Sequence, residues 1–588
     1  MPDSARAFLA FALIALVLIL TPKYLEFIGG PPARTQEPIE EWSASEEPLL
    51  APTIIPEGSF DTRAAMAPAR QAEPENRQRW PERTVVIETE LYRAVVSSRG
   101  GGSITSFELK GHSNRRTDGP VQLIDDSHGA ISLELAYVDL EGDSVYLREN
   151  FEAIVFPSLN TIHLSDGTVS MEFRRTFPSG AVVTKKLTFQ GDSYIIPLEI
   201  AWRDPGLELG INNFEVRWPD GLPPAEQLLN EDETYGKVYV YQGGELEDQG
   251  SARKGLVRRR TLKGSTDWVA LRNKYFTAAL IADRNQPATF GSLSAVSRPW
   301  THDGNNNSGS NGNLTSYSMA LGYDAGSPVK LNLYLGPLSY FIISDLEVGL
   351  EQIMNLGFSL IRPISKLVLY SLVYLHEVIP NYGVVLIIFA IVIRVVTNPL
   401  TKKSFTSTQK MQLVQPRVKE LQEKYKGNAQ KLNQEMMALW KREGVNPLGG
   451  CLPILIQMPL LWALFIVFRT TIELRGQPFI WWITDLSSPD VIFNLPFSLP
   501  LYGQGVTVLA LIMGITMFLQ QKLSGAASNP QQKPMMYMMS IFFFLIFNQF
   551  PSGLNLYYAF SNFLAILQQR SIRKHLAAPI AGPAKTKG

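Results

Sequence analysis

From residue 83 to about residue 345, apolar side chains recur at every second position. Val169, Met171 and Phe173 form one run, Val183, Leu187 and Phe189 flank Lys185 in the next, and Ile196, Leu198, Ile200 and Trp202 form a third. A period of two turns one side of an extended chain to a core and the other to water, so these runs predict half-buried strands. Turn residues in "SRGGGS", "PSG" and "QGDS" separate them and no long helical period intervenes. The expected architecture is an antiparallel two-sheet sandwich, with "THDGNNNSGSNGN" as a long polar loop inside it.

Past residue 345 the period becomes helical. Residues 346–380 mix charged with apolar positions, which suits a helix lying along a membrane interface. Five apolar runs follow, at 382–400, 448–468, 500–520, 534–550 and 552–569, and residues 5–20 supply a sixth. Each is near the length that crosses a hydrocarbon layer. The last two are separated only by Pro551, so a tight hairpin joins them. Between the first and second of the five, Val414, Val418, Leu421 and Tyr425 form one stripe and Leu432, Met436 and Leu439 another, broken by "KGN". That pattern reads as a helical hairpin. Near the N-terminus, residues 29–82 are rich in Pro, Glu and Ala with little apolar period, as in an extended tether.

The chain thus divides into an anchor span (1–28), a tether (29–82), a β domain (83–345), an interfacial helix (346–380), a span (381–401), a hairpin (402–447), four further spans (448–569) and a basic tail (570–588). Charge orients these parts. Lys and Arg number 54 and so do Asp and Glu, yet residues 26–380 carry a net −14 and residues 401–447 a net +6. The tail adds five cations and no acid. Positive segments beside spans stay in the cytoplasm, so both termini and the hairpin are expected inside and the acidic β domain outside. The first apolar run lacks a small-residue cleavage site and reads as an uncleaved anchor.

Cys451 is the single cysteine, which rules out an intramolecular disulfide. Its "LGGC" context looks like a lipoprotein box, but 447 residues precede it, so an unmodified cysteine is expected. There is no G-x-x-x-x-G-K-[ST], no metal-ligand spacing and no catalytic constellation, so neither a cofactor nor an enzymatic reaction is expected. "RKGLVRRR" at 253–260 reads as a solvated loop rather than a nucleic-acid site.

One charge stands out inside an apolar run. In "VVLIIFAIVIRVVTNPL", Arg394 lies six residues, or about 9 Å of helix, from the inner end of its span. Arg394, Thr397, Asn398 and Thr401 share a helical face that continues outward as Ile387, Ala390 and Ile391. Polarity opens inward and closes outward, as a cavity wet from the cytoplasm requires, although an arginine at this depth can also snorkel to the interface. "KPMMYMMSIFFFLIF" at 533–547 sets flexible Met beside Phe, a surface able to accept varied apolar shapes, or ordinary packed helix. Ser552, Asn555 and Asn562 accompany Tyr557 and Tyr558 on the last span, where amides usually bond neighbouring helices.

"NPLGGCLPILIQMPLLWALF" (446–465), "FPSGLNLYYAFSN" (550–562), Arg394 followed by "NPLTKKS", and "QEMMALWKREGVNP" (434–447) resemble the YidC/Oxa/Alb membrane-protein insertases in their Gram-negative six-span form. "VIETELYRAVVSSRGGGSITSFELK" extends the resemblance into the exported domain. It implies a multi-domain integral membrane protein of the inner membrane: an α-helical bundle of five core spans, an N-terminal anchor and a periplasmic β-supersandwich. It also implies a hydrophilic groove open to cytoplasm and lipid, lined by Arg394, Thr397, Asn398, Gln457, Asn562, Tyr557 and Tyr558. An apolar slide of Met458, Met535, Met536, Met539 and Phe543 would run beside it, and Lys419, Lys424, Lys426 and Lys431 would form a cytoplasmic docking face. The implied partners are nascent membrane proteins, Sec translocon components, the ribosome, the signal-recognition targeting machinery and membrane lipids, with no specific nucleic-acid sequence. The rival readings are a secondary transporter or channel with Arg394 as an anion site, and a tethered glycan-processing enzyme.

Overall fold

The computed structural model describes residues 80–577 except 118, 126–130, 228, 252–256, 300–312, 445–451, 500–501 and 525–532. The first apolar run, nearly all of the tether, the 301–312 loop, Cys451 and the end of the tail lie outside the described residues. Within them the chain falls into two compact units. One holds the sheets, as far as Gly357, together with Arg469–Glu473; the other holds the helices, from Phe358 to Phe468 and from Leu474 onward.

The alternating runs build a five-stranded and a fourteen-stranded sheet. The smaller is ordered Pro120–Asp125, Ser103–Ser113, Tyr92–Ser97, Thr84–Thr89, Thr161–Leu164. Its last pair runs parallel, Val86 facing Thr161, in departure from the all-antiparallel expectation. The cause is topological: the chain makes strands of the larger sheet before returning, and a long crossover lets a strand come back in the same direction. Side chains of both sheets meet in one apolar core, where Ile87, Phe107 and Leu123 join Phe173, Leu187 and Leu333. The cations of residues 258–260 do not sit in a loop. They occupy the exposed end of the long strand Val257–Arg272, held in register by Ala288–Pro299.

Lys185 occupies the inward position that its alternation assigns and is completely buried. Its ammonium donates to Gly100 O (3.2 Å) and Leu133 O (2.8 Å), clamping two turns of left-handed backbone, Gly100–Gly102 and Leu133 (φ 57°). Gly102 must be glycine, since a Cβ there would approach the Leu187 methyl to 2.5 Å. Burial pushes the Lys185 amine down to about 7, against the pull of Glu134. Asp232 is its counterpart: burial first, then the neighbouring Glu226 charge, pushes that carboxyl up to about 7.

After two short helices, α1 (Leu229–Tyr235) and α2 (Tyr340–Ser344), residues 346–380 carry two elements rather than one. A 3-10 turn at Leu350–Ile353 belongs with the sheets, where Arg272 donates to Ile353 O (2.8 Å). The helix α3 (Arg362–Val378) opens the helical unit. There α4 (Tyr382–Lys424), capped by Asn381, runs unbroken through the apolar run at 382–400 into the hairpin, with Pro399 and Pro416 inside it. The remaining helices are α5 (Ala429–Arg442), α6 (Leu452–Thr470), α7 (Val508–Ser524), α8 (Lys533–Phe547) and α9 (Ser552–Ala577). The run expected as a helix from residue 500 starts as a strand instead. Val491–Leu499 pairs with Gly503–Thr507, and α7 begins only at Val508, because backbone pairing claims the glycine-rich start. Among the described residues, Tyr382–Pro399 is long and apolar enough to cross a membrane, and Gln457–Thr470 and Val508–Leu523 are shorter apolar helices.

Expressed alone, residues 83–357 should give a β-type circular dichroism spectrum and a monodisperse gel-filtration peak. Its urea midpoint should pass through a minimum near pH 7. Asp232 binds a proton more tightly folded than unfolded, so stability falls as pH rises from about 4 to 7; Lys185 binds one less tightly folded, so stability climbs from about 7 to 10. Asp232→Asn should flatten the first limb and Lys185→Met the second, as read by urea titration at each pH.

Candidate functional site

Helix α9 packs along α4 and α7, and its meeting with α4 places most of the expected groove residues. On α4, Leu386, Ala390, Arg394 and Asn398 follow one another at intervals of one turn. The first two are buried. Phe389 meets Tyr557 of α9 with ring centroids 6.1 Å apart, and the Arg394 guanidinium interacts electrostatically with the Tyr557 phenol. One turn further in, Gln568 of α9 donates to the Asn398 side chain. Arg394 is half-buried and its Nε finds no protein partner. Nor do Oε1 of Gln568 and Oε1 of Gln569. The helix seam therefore grades from packed hydrocarbon to polar groups with spare hydrogen-bonding capacity.

Several expected residues behave differently. Thr397 donates to Ile393 O (2.8 Å) and Thr401 to Thr397 O (2.9 Å), so both hydroxyls are spent on their own helix, the usual fate of threonine in an apolar span. Tyr558 is half-buried and its ring meets that of Phe547 of α8, centroids 5.7 Å apart and edge to face. Asn562 is half-buried, while Gln457 and Met458 on α6 are exposed. Phe543 is half-buried within an aromatic row with Phe542 and Phe547. Met535, Met536 and Met539 lie on α8, but their side chains are outside the described residues. The outward closure is turned from the expected face: Ile391 is exposed and Ile387 half-buried, and Val385, Leu386, Phe389 and Ala390 do the packing. Gln568 had escaped notice, although it lies eleven residues, three helical turns, beyond Tyr557 and thus on its face.

The end of the bundle away from the hairpin is tied shut. Asn548 accepts from Thr507 N (3.2 Å) and Thr507 Oγ1 (2.8 Å) and donates to Tyr502 O (2.8 Å) and Gly505 O (2.6 Å). Gly553 at the start of α9 sits so close to Leu486 O, Phe468 and Leu386 that a Cβ would meet them at 3.0, 3.1 and 3.3 Å. Ser552 and Asn555 bond Asp485 O (2.7 Å) and Phe547 O (3.0 Å), as amides and hydroxyls that glue elements together do.

At the other end, α4 and α5 pair through Val414, Val418 and Leu439, with Leu421 and Met436 alongside, and Arg417 bridges to Glu443. Tyr425 and Leu432 flank this seam half-buried. Lys419, Lys424, Lys426 and Lys431 are all exposed. Lys424 and Lys431 approach the two sides of Tyr425, each ammonium 5.6 Å from the ring centre.

A helical region bearing an arginine in a segment long and apolar enough to cross a membrane, together with a sheet-rich unit, points to the class of membrane proteins with a large sheet-rich part. Comparison narrows it. Residues 84–368 match the family described as the YidC periplasmic domain, and residues 374–579 match the one described as 60Kd inner membrane protein. The membrane protein insertase YidC of Chlorobium luteolum is 35% identical over 574 residues, covering 95% of this chain and 93% of its own. That of Chlorobium phaeovibrioides is also 35% identical, over 98% of this chain and 97% of its own. A solved active YidC insertase, 16% identical, superposes over 83% of this chain and 92% of its own with a TM-score of 0.34. The chain belongs to the YidC family of membrane protein insertases, and with it to the inner membrane.

Asn548→Ala should lower the thermal midpoint of the purified full chain in detergent, with a cost of about 2–3 kcal/mol from the stranded partners. Asn548→Asp should cost at least as much, because its second oxygen would set a buried charge against the Tyr502 and Gly505 carbonyls, as read by intrinsic fluorescence on heating.

Proposed function

We propose that this insertase receives hydrophobic segments of newly made proteins from the cytoplasm and releases them sideways into the inner membrane along the α4–α9 seam. The observation that carries the reading is the grading of that seam: buried Leu386, Phe389 and Ala390 give way within one or two turns to Arg394, Asn398 and Gln568. Partner-free polar atoms at this place call for water, so the polar end is a wet recess. An apolar span enters lipid downhill by a few tenths of a kcal/mol for each Leu-like residue; the barrier is its polar flank. A recess that brings water and one positive charge partway across lowers that barrier, and no fuel or covalent step is needed.

In this reading the spans number six, both termini and the α4–α5 hairpin lie in the cytoplasm, and the two sheets close over their shared core as a periplasmic supersandwich. Incoming segments are held at Arg394, Asn398 and Tyr557, with Thr397, Asn562 and Gln457 at the margins, while the Met458, Met535, Met536, Met539 and Phe543 face guides their apolar bodies. The exposed lysines of the hairpin receive the ribosome or the targeting machinery, and the Sec translocon shares larger substrates. The packed outer half of the seam disfavours a continuous anion path.

Arg394→Ala should impair insertion of substrates with acidic translocated flanks about tenfold, equivalent to about 1.4 kcal/mol, and leave neutral flanks nearly unchanged. Arginine pairs a carboxylate through two hydrogen bonds, and Arg394→Lys should keep most activity because the charge persists. In a Cys451→Ser background, Arg394→Cys should react with a water-soluble maleimide from the cytoplasmic side only. Equal impairment of both substrate sets, or an unreactive cysteine, would make Arg394 a packing residue.

Reversing Lys419, Lys424, Lys426 and Lys431 together to Glu should cut crosslinking to stalled ribosome-bound nascent chains several-fold without altering topology. Unchanged crosslinking would leave these charges a role in orientation alone.

A further inference from the structure

The connection between α6 and α7 is built inside out. Its carboxylates turn inward and take up hydrogen bonds, with Oδ1 of Asp490 left over. Asp485 accepts from Gly476 N (3.0 Å), Ser487 N (2.9 Å) and Ser488 Oγ (2.8 Å), and Asp490 accepts from Trp482 Nε1 (3.1 Å) and from Val508 N (3.1 Å) and Leu509 N (2.9 Å) at the start of α7. Its apolar groups turn outward. In the ribbon Val491–Leu499/Gly503–Thr507 the odd positions of the first strand read Val, Phe, Leu, Phe, Leu, and Phe493 and Phe497 are 53% and 56% exposed. Ile492 is exposed as well, the pairing is irregular between Val491 and Phe493 and between Asn494 and Leu499, and Asn494 is the polar neighbour in this apolar row. Beside the ribbon, Trp481 stacks on Trp482 with centroids 5.8 Å apart, and Trp481 is 84% exposed. Trp481 also has φ 52°, a conformation that costs a bulky residue on the order of 1–3 kcal/mol, with no burial in the protein to offset it.

A loop that faces water does the reverse, hiding aromatic rings and showing its carboxylates. We propose that the ribbon Val491–Leu499/Gly503–Thr507 and the Trp481–Trp482 pair form an interfacial anchor that lies in the outer leaflet with phospholipid as its partner. The inference rests on the reading of the helices as membrane spans. Continuity supports it, since the ribbon leads directly into the exposed apolar row Leu511, Ile515 and Leu519 of α7. Depth follows from hydrogen bonding. A two-stranded ribbon has free N–H and C=O groups on both edges, which hydrocarbon would leave unpaired, so the ribbon stays at the headgroup boundary with its apolar side chains reaching toward the acyl layer. Tryptophan favours the same level. The anchor thereby fixes the height at which α7 starts.

The test uses the full chain in phospholipid nanodiscs, in a Cys451→Ser background, with an environment-sensitive fluorophore on Phe493→Cys, Asn494→Cys or Ile515→Cys. At position 493 a nitroxide near the lipid headgroup should quench several-fold more than one near the chain end, and aqueous iodide should quench several-fold less than at 494. At position 515 the deep nitroxide should dominate. Equal iodide quenching at 493 and 494, or a probe at 493 shielded from iodide yet untouched by either nitroxide, as a protein partner or second copy would produce, overturns the anchor while 515 still reports a span. Failure of the deep nitroxide at 515 overturns the span reading, and the anchor with it.

Discussion

A guanidinium carried on an apolar helix sets the terms for the helical unit. Placing a charge at the centre of a membrane span costs roughly 2.5–3.5 kcal/mol, so its surroundings must supply water, a partner or a short route to the interface. Arg394 has the phenol of Tyr557 beside it and an Nε that no protein atom satisfies. The two nearest threonine hydroxyls give no help, because both bond back to their own helix. In the proposed reading hydration from the cytoplasmic side supplies the rest, the polar pair Asn398–Gln568 continues that surface, and the packed outer half keeps the recess from opening at both ends.

That closure depends on small and amide residues more than on bulk. Gly553 lets α9 start within contact of Leu386, Phe468 and the backbone at Leu486, and Asn548 binds the ribbon to the end of α8 through four hydrogen bonds. The hairpin at the other end makes the opposite choice. Its seam is short, its surface is cationic, and its first helix is the unbroken continuation of α4, the helix that carries Arg394.

The sheet unit solves a charge problem of its own. Lys185 and Asp232 are both buried, and burial drives each toward its neutral form. Lys185 nevertheless occupies a core position because two strained turns need their carbonyls tied, which an aliphatic side chain could not do. The unit carries its own core and its own polar ties, consistent with a part that folds independently of the bilayer.

Periodicity along the chain determined the elements whose environment is uniform. Alternation at 169–202 marked strands and even the inward position of Lys185, and the stripe Val414, Val418, Leu421 anticipated the hairpin seam, because a side chain's face follows from backbone geometry alone. The charge of Arg394 within an apolar run was equally plain. Tertiary structure decided what depends on a second element. It set the ring of Tyr557 on Phe389 of α4 and that of its neighbour Tyr558 on Phe547 of α8; it brought Gln568 to Asn398 across 170 residues; and it turned residues 503–507 into a strand. Adjacent residues on a helix point about 100° apart, and which of them meets a partner is set by the angle at which that partner arrives, a quantity that no local pattern contains.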